Sequence, residues 1–273
     1  MPMDPRRSSS FDRLKAVAHG LKQEANVKRS LTVARRRQQY MLPRLPEVPG
    51  YEFAFVYRPA EHVSGDFCDI IELGAGRYGI LIGDVTGHGM EAGIVMGAAR
   101  KALQIYARSA DTPCTALTWA NDDLRRDLDR QTFLTVGYAV LDSARGSLQY
   151  VRAGHNHPLL FGPGKDEWQE VKAAGTSIGV TKGEHFSGLL QEVTVSLLPG
   201  QTFLQFTDGI VEAHDRAGNE FGVERFIEYL QQHHDTRSPL AHMIEGLPGA
   251  IEKFTKGADQ EDDITALAVR RVS

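Results

Sequence analysis

Residues 51–85 read YEFAFVYRPAEHVSGDFCDIIELGAGRYGILIGDV. Three runs inside this stretch, Tyr51–Tyr57, Phe67–Leu73 and Arg77–Val85, are short, rich in aromatic and β-branched residues, and separated by Gly or Pro. That pattern predicts three strands. Downstream, Met90–Arg108 predicts a helix whose inner face is rich in Ala and Gly, suited to close packing on a sheet. Thr112–Arg130 predicts a second helix, with Thr112 as its cap and Pro113 in its first turn.

Strands are predicted again at Phe133–Leu141, Ser147–Arg152, Leu159–Phe161, Gln191–Leu198 and Gln201–Phe206. Helices at Val223–His233 and Leu240–Phe254 precede a last strand at Ile264–Arg271. Strands, two helices, many strands, two helices and a strand is not the alternating order of a doubly wound fold. The order predicts an α+β fold, with two antiparallel sheets face to face and helices outside.

Upstream, Phe11, Leu14, Ala18, Leu21 and Ala25 follow three- and four-residue steps, so residues 11–42 predict a helix. Pro43, Pro46 and Pro49 stop it. The stripe is too short and Ala-rich to stand alone, so it is expected to pack on the body or on a second copy of itself. The chain thus divides into an arm, 1–43, and one domain, 44–273. Residues 1–40 carry 10 basic and 3 acidic side chains, whereas the rest carry 21 and 32, so a net charge of −4 conceals a +7 arm on a −11 body.

No run of about 18 apolar residues is present, which excludes a membrane-spanning helix. The first residues lack the apolar segment of a secretory signal. Two cysteines, Cys68 and Cys114, make neither a disulfide framework nor a thiolate metal site, and are expected to be packing residues in a cytoplasmic protein. The run Arg35–Arg37 invites nucleic acid, but no interleaved aromatic platform or groove-reading motif accompanies it, so none is expected.

Four acidic segments fall at strand ends: Ser64-Gly65-Asp66-Phe67, Gly83–Gly89, Thr207-Asp208-Gly209 and Glu261-Asp262-Asp263-Ile264-Thr265. Singly each is a turn or a solvated loop. An ionised carboxylate cannot be buried alone, so either each is solvated or they converge on cations. Carboxylates, backbone carbonyls and water suit Mg²⁺ and Mn²⁺, and a two-ion site of that kind performs phosphatase chemistry.

These segments resemble the metal-dependent protein phosphatase (PPM) superfamily, in its bacterial SpoIIE/RsbU-like branch. The matching residues are Arg58-Pro59-Ala60, Val63–Phe67, Ile82–Gly89, Thr132–Thr135, Leu141-Asp142, Arg152–Pro158, Phe206–Ala213 and Asp262–Thr265, in family order. The resemblance implies an αββα sandwich with two Mg²⁺ or Mn²⁺ ions at one end. It implies Asp66 as ligand of one ion, Asp84 as the bridge, Val85 through its carbonyl, and Asp208 and Asp262 as ligands of the other. Asp262 is preferred to Asp263 because Thr265 and the strand follow it at family spacing.

A metal-bound water is the implied nucleophile. His88 lies in the metal loop, placed either to protonate the leaving oxygen or to shape the loop; the eukaryotic branch has its candidate acid histidine where this chain has Thr86. His155 and His157 are expected to be structural. Ser64 stands where the branch has Gly, which keeps the ligand, and Glu91 adds charge at a helix start.

The implied activity is a protein serine/threonine phosphatase acting on a phosphorylated regulatory protein, such as an anti-anti-sigma factor of the STAS fold. The alternative is a pseudophosphatase that docks a partner without turnover. The arm is expected to regulate or to dimerise.

Overall fold

The computed structural model describes residues 5–164 and 167–272. Helix α1 (Pro5–Gln39) ends three residues before the expected limit. Tyr40 N and Met41 N donate three residues back, to Arg37 and Gln38 carbonyls, tightening the end before Pro43. In its expected apolar stripe, Ala25 is exposed, while the side chains of Phe11, Leu14, Ala18 and Leu21 lie outside the described residues. The chain separates into two units, Met1–Met41 and Leu42–Ser273.

In the second unit, β1 (Tyr51–Arg58), β2 (Phe67–Gly74) and β3 (Arg77–Val85) form where the sequence predicts them, and α2 (Gly89–Ser109) and α3 (Pro113–Leu124) follow. Thr112 caps α3, its hydroxyl accepting from Thr115 N at 3.1 Å. That helix stops six residues short of Arg130. The Asp129 carboxylate instead accepts from Gln131 N and Thr132 N and folds the segment into a turn. Next come β4 (Leu134–Asp142), β5 (Ser147–Ala153), β6 (Leu159–Phe161), β7 (Trp168–Glu170), α4 (Gly183–Leu189), β8 (Glu192–Ser196) and β9 (Thr202–Phe206). A 3₁₀ turn (Asp208–Ile210), α5 (Gly222–His233), α6 (Leu240–Thr255) and β10 (Ile264–Arg271) complete the order.

One sheet has the order β1-β10-β9-β6-β7 and the other β2-β3-β4-β5-β8, with every pair antiparallel. Because side chains alternate along a strand, each sheet presents two faces, and along β3, β4, β9 and β10 both are buried. Ile80 and Ile82 of β3 meet Phe203 of β9 and Leu267 and Val269 of β10 between the sheets. Leu81 and Val85 of β3 face outward onto Met96, Ala99 and Leu103 of α2 and Leu117 of α3. On the other side, Ala266 and Ala268 of β10 pack on Phe226 and Leu230 of α5 and on Ile244, Leu247 and Ile251 of α6. Three apolar layers make an αββα sandwich. A fully buried side chain in such a layer contributes about 1.5–3 kcal/mol.

Candidate active site

Strand register brings the predicted acids together. Phe67 pairs with Gly83, so one step further Asp66 stands opposite Asp84 where β2 begins and β3 ends. In the other sheet Ala266 pairs with Phe206, which carries Asp208 past the end of β9 beside the residues that lead into β10. Thr207 N donates to Thr265 O at 3.0 Å and continues that ladder. Both sheets thus end in acids at the same end of the sandwich.

Two hydroxyls lock the halves together. Thr207 Oγ1 donates to Asp66 Oδ2 at 2.8 Å, across from one sheet to the other. Ser64 Oγ donates to Asp263 Oδ2 at 2.6 Å. Asp263 Oδ2 also accepts from Gly65 N at 3.0 Å, and its Oδ1 accepts from Ala60 N at 2.8 Å. Asp263 is therefore buried and occupied as the anchor of the 60–65 loop. Its neighbour Asp262 is exposed, and its Oδ1 accepts from Asp263 N at 2.7 Å.

The site is crowded with like charge. Burial pushes Asp66 well above the ordinary carboxylate range, and Asp84 and Asp263 push it further. Asp84 is raised to about 7 by burial first, then by Asp208, Asp262 and Asp263, while a hydrogen bond shared with Asp66 opposes the rise. Asp262 reaches the surface, but desolvation on its inward side raises it to about 6, and Asp208 adds to the rise. No ion pair from a described residue reaches Asp66, Asp84, Asp208 or Asp262. A cluster of this kind stays protonated or takes up cations.

Backbone approaches the cluster closely. A Cβ on Gly65 would come within 2.8 Å of the Val85 carbonyl oxygen and 3.3 Å of Asp84 Oδ1, and one on Gly209 within 2.2 Å of the Asp263 carbonyl oxygen. Both glycines are needed so that the two acid-bearing turns can meet. Among the described residues no three carboxylate, imidazole or thiol side chains converge tightly enough to hold an ion as they stand. That does not conflict with Mg²⁺, which takes one or two carboxylates and keeps several waters. The donor set, oxygen throughout and with the Val85 carbonyl at its edge, fits a hard divalent cation.

The ion-pair partner of His88 is Glu61 rather than one of the four acids. His88 precedes α2 with an extended backbone, its ring is highly exposed, and its Nδ1 lies 2.9 Å from Glu61 Oε1. His155 is buried, with Nδ1 2.9 Å from Thr135 Oγ1, and burial lowers it to about 3, so it is neutral. His157 Nε2 lies 2.9 Å from Arg152 Nη1. Cys68 is buried in the inter-sheet core and Cys114 is half-buried on α3.

Sequence reasoning overlooked the roles of Asp263, Thr207 and Ser64. The hydroxyl beside each acid was visible, but a partner some 140 to 200 positions away was not.

Two antiparallel sheets between helical layers, closed at one end by acidic turns, are the architecture of a PP2C-type domain. The model of the Stage II sporulation protein E (SpoIIE) family matches residues 74–272, well over half of the chain, and the chain belongs to that family. In structure it is similar to the SiaA-PP2C domain of Pseudomonas aeruginosa, with a TM-score of 0.77 and 26% identity, covering 91% of this chain and 98% of that one.

Protein IcfG of Synechocystis sp. is 28% identical over 270 residues, which cover 88% of this chain and 41% of that protein. Phosphoserine phosphatase RsbU of Bacillus subtilis is 23% identical over 253 residues, 92% of this chain and 72% of that protein. The chain thus spans less than half the length of IcfG. No described helix is long and apolar enough to cross a membrane.

Proposed function

We propose that this chain is a divalent-metal-dependent phosphatase that removes phosphate from serine or threonine of a regulatory protein, with a STAS-fold anti-anti-sigma factor as the expected partner. The observation that carries the reading is the meeting of Asp66, Asp84, Asp208 and Asp262 at one end of the sandwich with no basic side chain paired to them. Those four carboxylates and the Val85 carbonyl would hold two Mg²⁺ or Mn²⁺ ions. When bound, the ions supply Lewis-acid chemistry, acidifying water and neutralising phosphoryl oxygens.

The chain's own residues set the stage for that chemistry. Thr207 fixes the orientation of Asp66, and Asp263 holds the 60–65 loop so that Gly65 faces Asp84. With three donors on its carboxylate, Asp263 is better suited to anchoring than to ligation, which supports Asp262 as the ligand. His88, paired with Glu61, shapes the loop after Val85. Residues 44–273 would be the catalytic domain and 1–43 a basic arm that controls it or joins two copies.

A phosphate-release assay tests the reading. The full chain with Mn²⁺ is expected to hydrolyse both an aryl phosphate and a phosphorylated STAS-type protein, and to lose both activities in EDTA. No turnover of either substrate under any metal would contradict it and favour a docking module instead.

A further inference from the structure

Beside Asp262 the chain opens a cleft of about 570 Å³ between the acid centre and α6. That volume falls within the range of formed binding sites and exceeds what one phosphoryl group needs. Its apolar wall comes from Ala213, Pro248, Ile251 and Ile264. Of these, Ile251 and Ile264 are buried, so the wall is part of the fold rather than a loose flap.

The charges around the cleft are unevenly matched. Arg58 is held by Glu252 at 2.5 Å. His214 Nδ1 lies 3.2 Å from Glu261 Oε2. His88, the third basic group on the cleft, lies 2.9 Å from Glu61, so all three face carboxylates already. Glu212 and Asp259 line the same cleft, are exposed, and have no ion-pair partner among the described residues. Apolar wall and unmatched carboxylates together suit a long aliphatic side chain that ends in a positive charge.

Resting on the phosphatase reading above, we propose that this cleft is a specificity site: it takes a Lys or Arg side chain of the segment that carries the phosphoserine. The aliphatic stem lies along Ala213 and Pro248, and the charged head reaches Glu212 and Asp259. Because Asp262 and Gly209 border the cleft, the recognised residue sits within a few positions of the phosphoserine.

The test compares phosphoserine peptides carrying Lys, Ala or Glu at each position flanking the phosphoserine, with an aryl phosphate as reference, all with Mn²⁺ and the full chain. At one or more positions kcat/KM is expected to favour Lys over Glu by about fivefold or more, the scale of a rim charge pair. The preference should shrink as salt is raised.

Glu212→Lys combined with Asp259→Lys should reverse the preference, chiefly through KM, whereas Glu212→Asp should retain it. The ratio of peptide to aryl phosphate turnover should move with the charge. A wild-type chain without preference, or a preference that charge reversal leaves in place, overturns the proposal while leaving the phosphatase reading standing. If the aryl phosphate is not hydrolysed either, the phosphatase reading falls and this inference with it.

Discussion

The two halves of the acid centre are built differently. Asp66, just before β2, is buried, Asp84, near the end of β3, is half-buried, and both are raised by burial. Asp262, in the segment before β10, is exposed and lines the 570 Å³ cleft, and Asp208, half-buried in the turn after β9, is joined to that cleft through its neighbour Gly209. Burying an ionised carboxylate is costly unless a cation compensates it. The inner half would therefore need bound cations to stay charged, while Asp262 in the outer half faces the cleft. On the proposed function, charge storage and substrate access are divided between the two sheets.

The sharpest break of that comparison is a pair of isosteric changes. Asp84→Asn is expected to lower turnover by about a thousandfold or more, the scale of losing a principal electrostatic element of catalysis, with little change in far-UV circular dichroism. Asp262→Asn should be partly recovered by raising the metal concentration. Equal and unrecoverable losses would erase the distinction between the halves.

Next in size is the anchor between them. Asp263→Ala leaves the Ala60 N, Gly65 N and Ser64 Oγ donors without their acceptor. At about 1–3 kcal/mol for a buried unsatisfied group, urea unfolding should show a loss of at least about 3 kcal/mol. A loss under about 1 kcal/mol would mean that the 60–65 loop is held by other contacts.

A smaller, pH-dependent effect belongs to His155. Its folded value of about 3 lies below the ordinary 6.5 because burial disfavours the charged ring. Its contribution to stability is therefore complete above pH 6.5, where the unfolded ring is also neutral. That contribution is lost progressively as pH falls from 6.5 toward 3, because the unfolded state binds the proton first. The urea midpoint should fall across that window. His155→Gln should flatten the slope, and an unchanged slope would place the sensitivity elsewhere.

Least in size for the chemistry is removal of residues 1–40. It is expected to change the mass in solution or the basal rate without abolishing turnover, as measured by light scattering and phosphate release. Unchanged mass together with an unchanged rate would remove any role for the arm.

Much of this was legible in the sequence where strand length and apolar run coincide: β3, β6 and β10 fall where their residues predict them. Strand β7, three exposed residues at Trp168–Glu170, carries no apolar alternation and was missed. Helix α4 buries Phe186 alone in its seven residues, so it offered no period to read. The acids at strand ends were visible because an Asp beside a Gly turn stands out locally. What Asp263 does was not, since its partners at Ala60, Ser64 and Gly65 are about 200 positions away and are set by the packing of two sheets. The cleft beside Asp262 likewise gathers Arg58, Ala213 and Ile251 from distant segments.

The central claim is that the aspartates form one cation-holding centre, and Mn²⁺ titration of metal-stripped protein, followed by calorimetry and electron paramagnetic resonance, tests it most directly. The account predicts saturable binding of two ions to the wild-type chain, with a spectrum of coupled ions that Asp84→Asn abolishes. Binding of the same number of ions with the same spectrum in Asp84→Asn, or no binding to the wild-type chain, would contradict it.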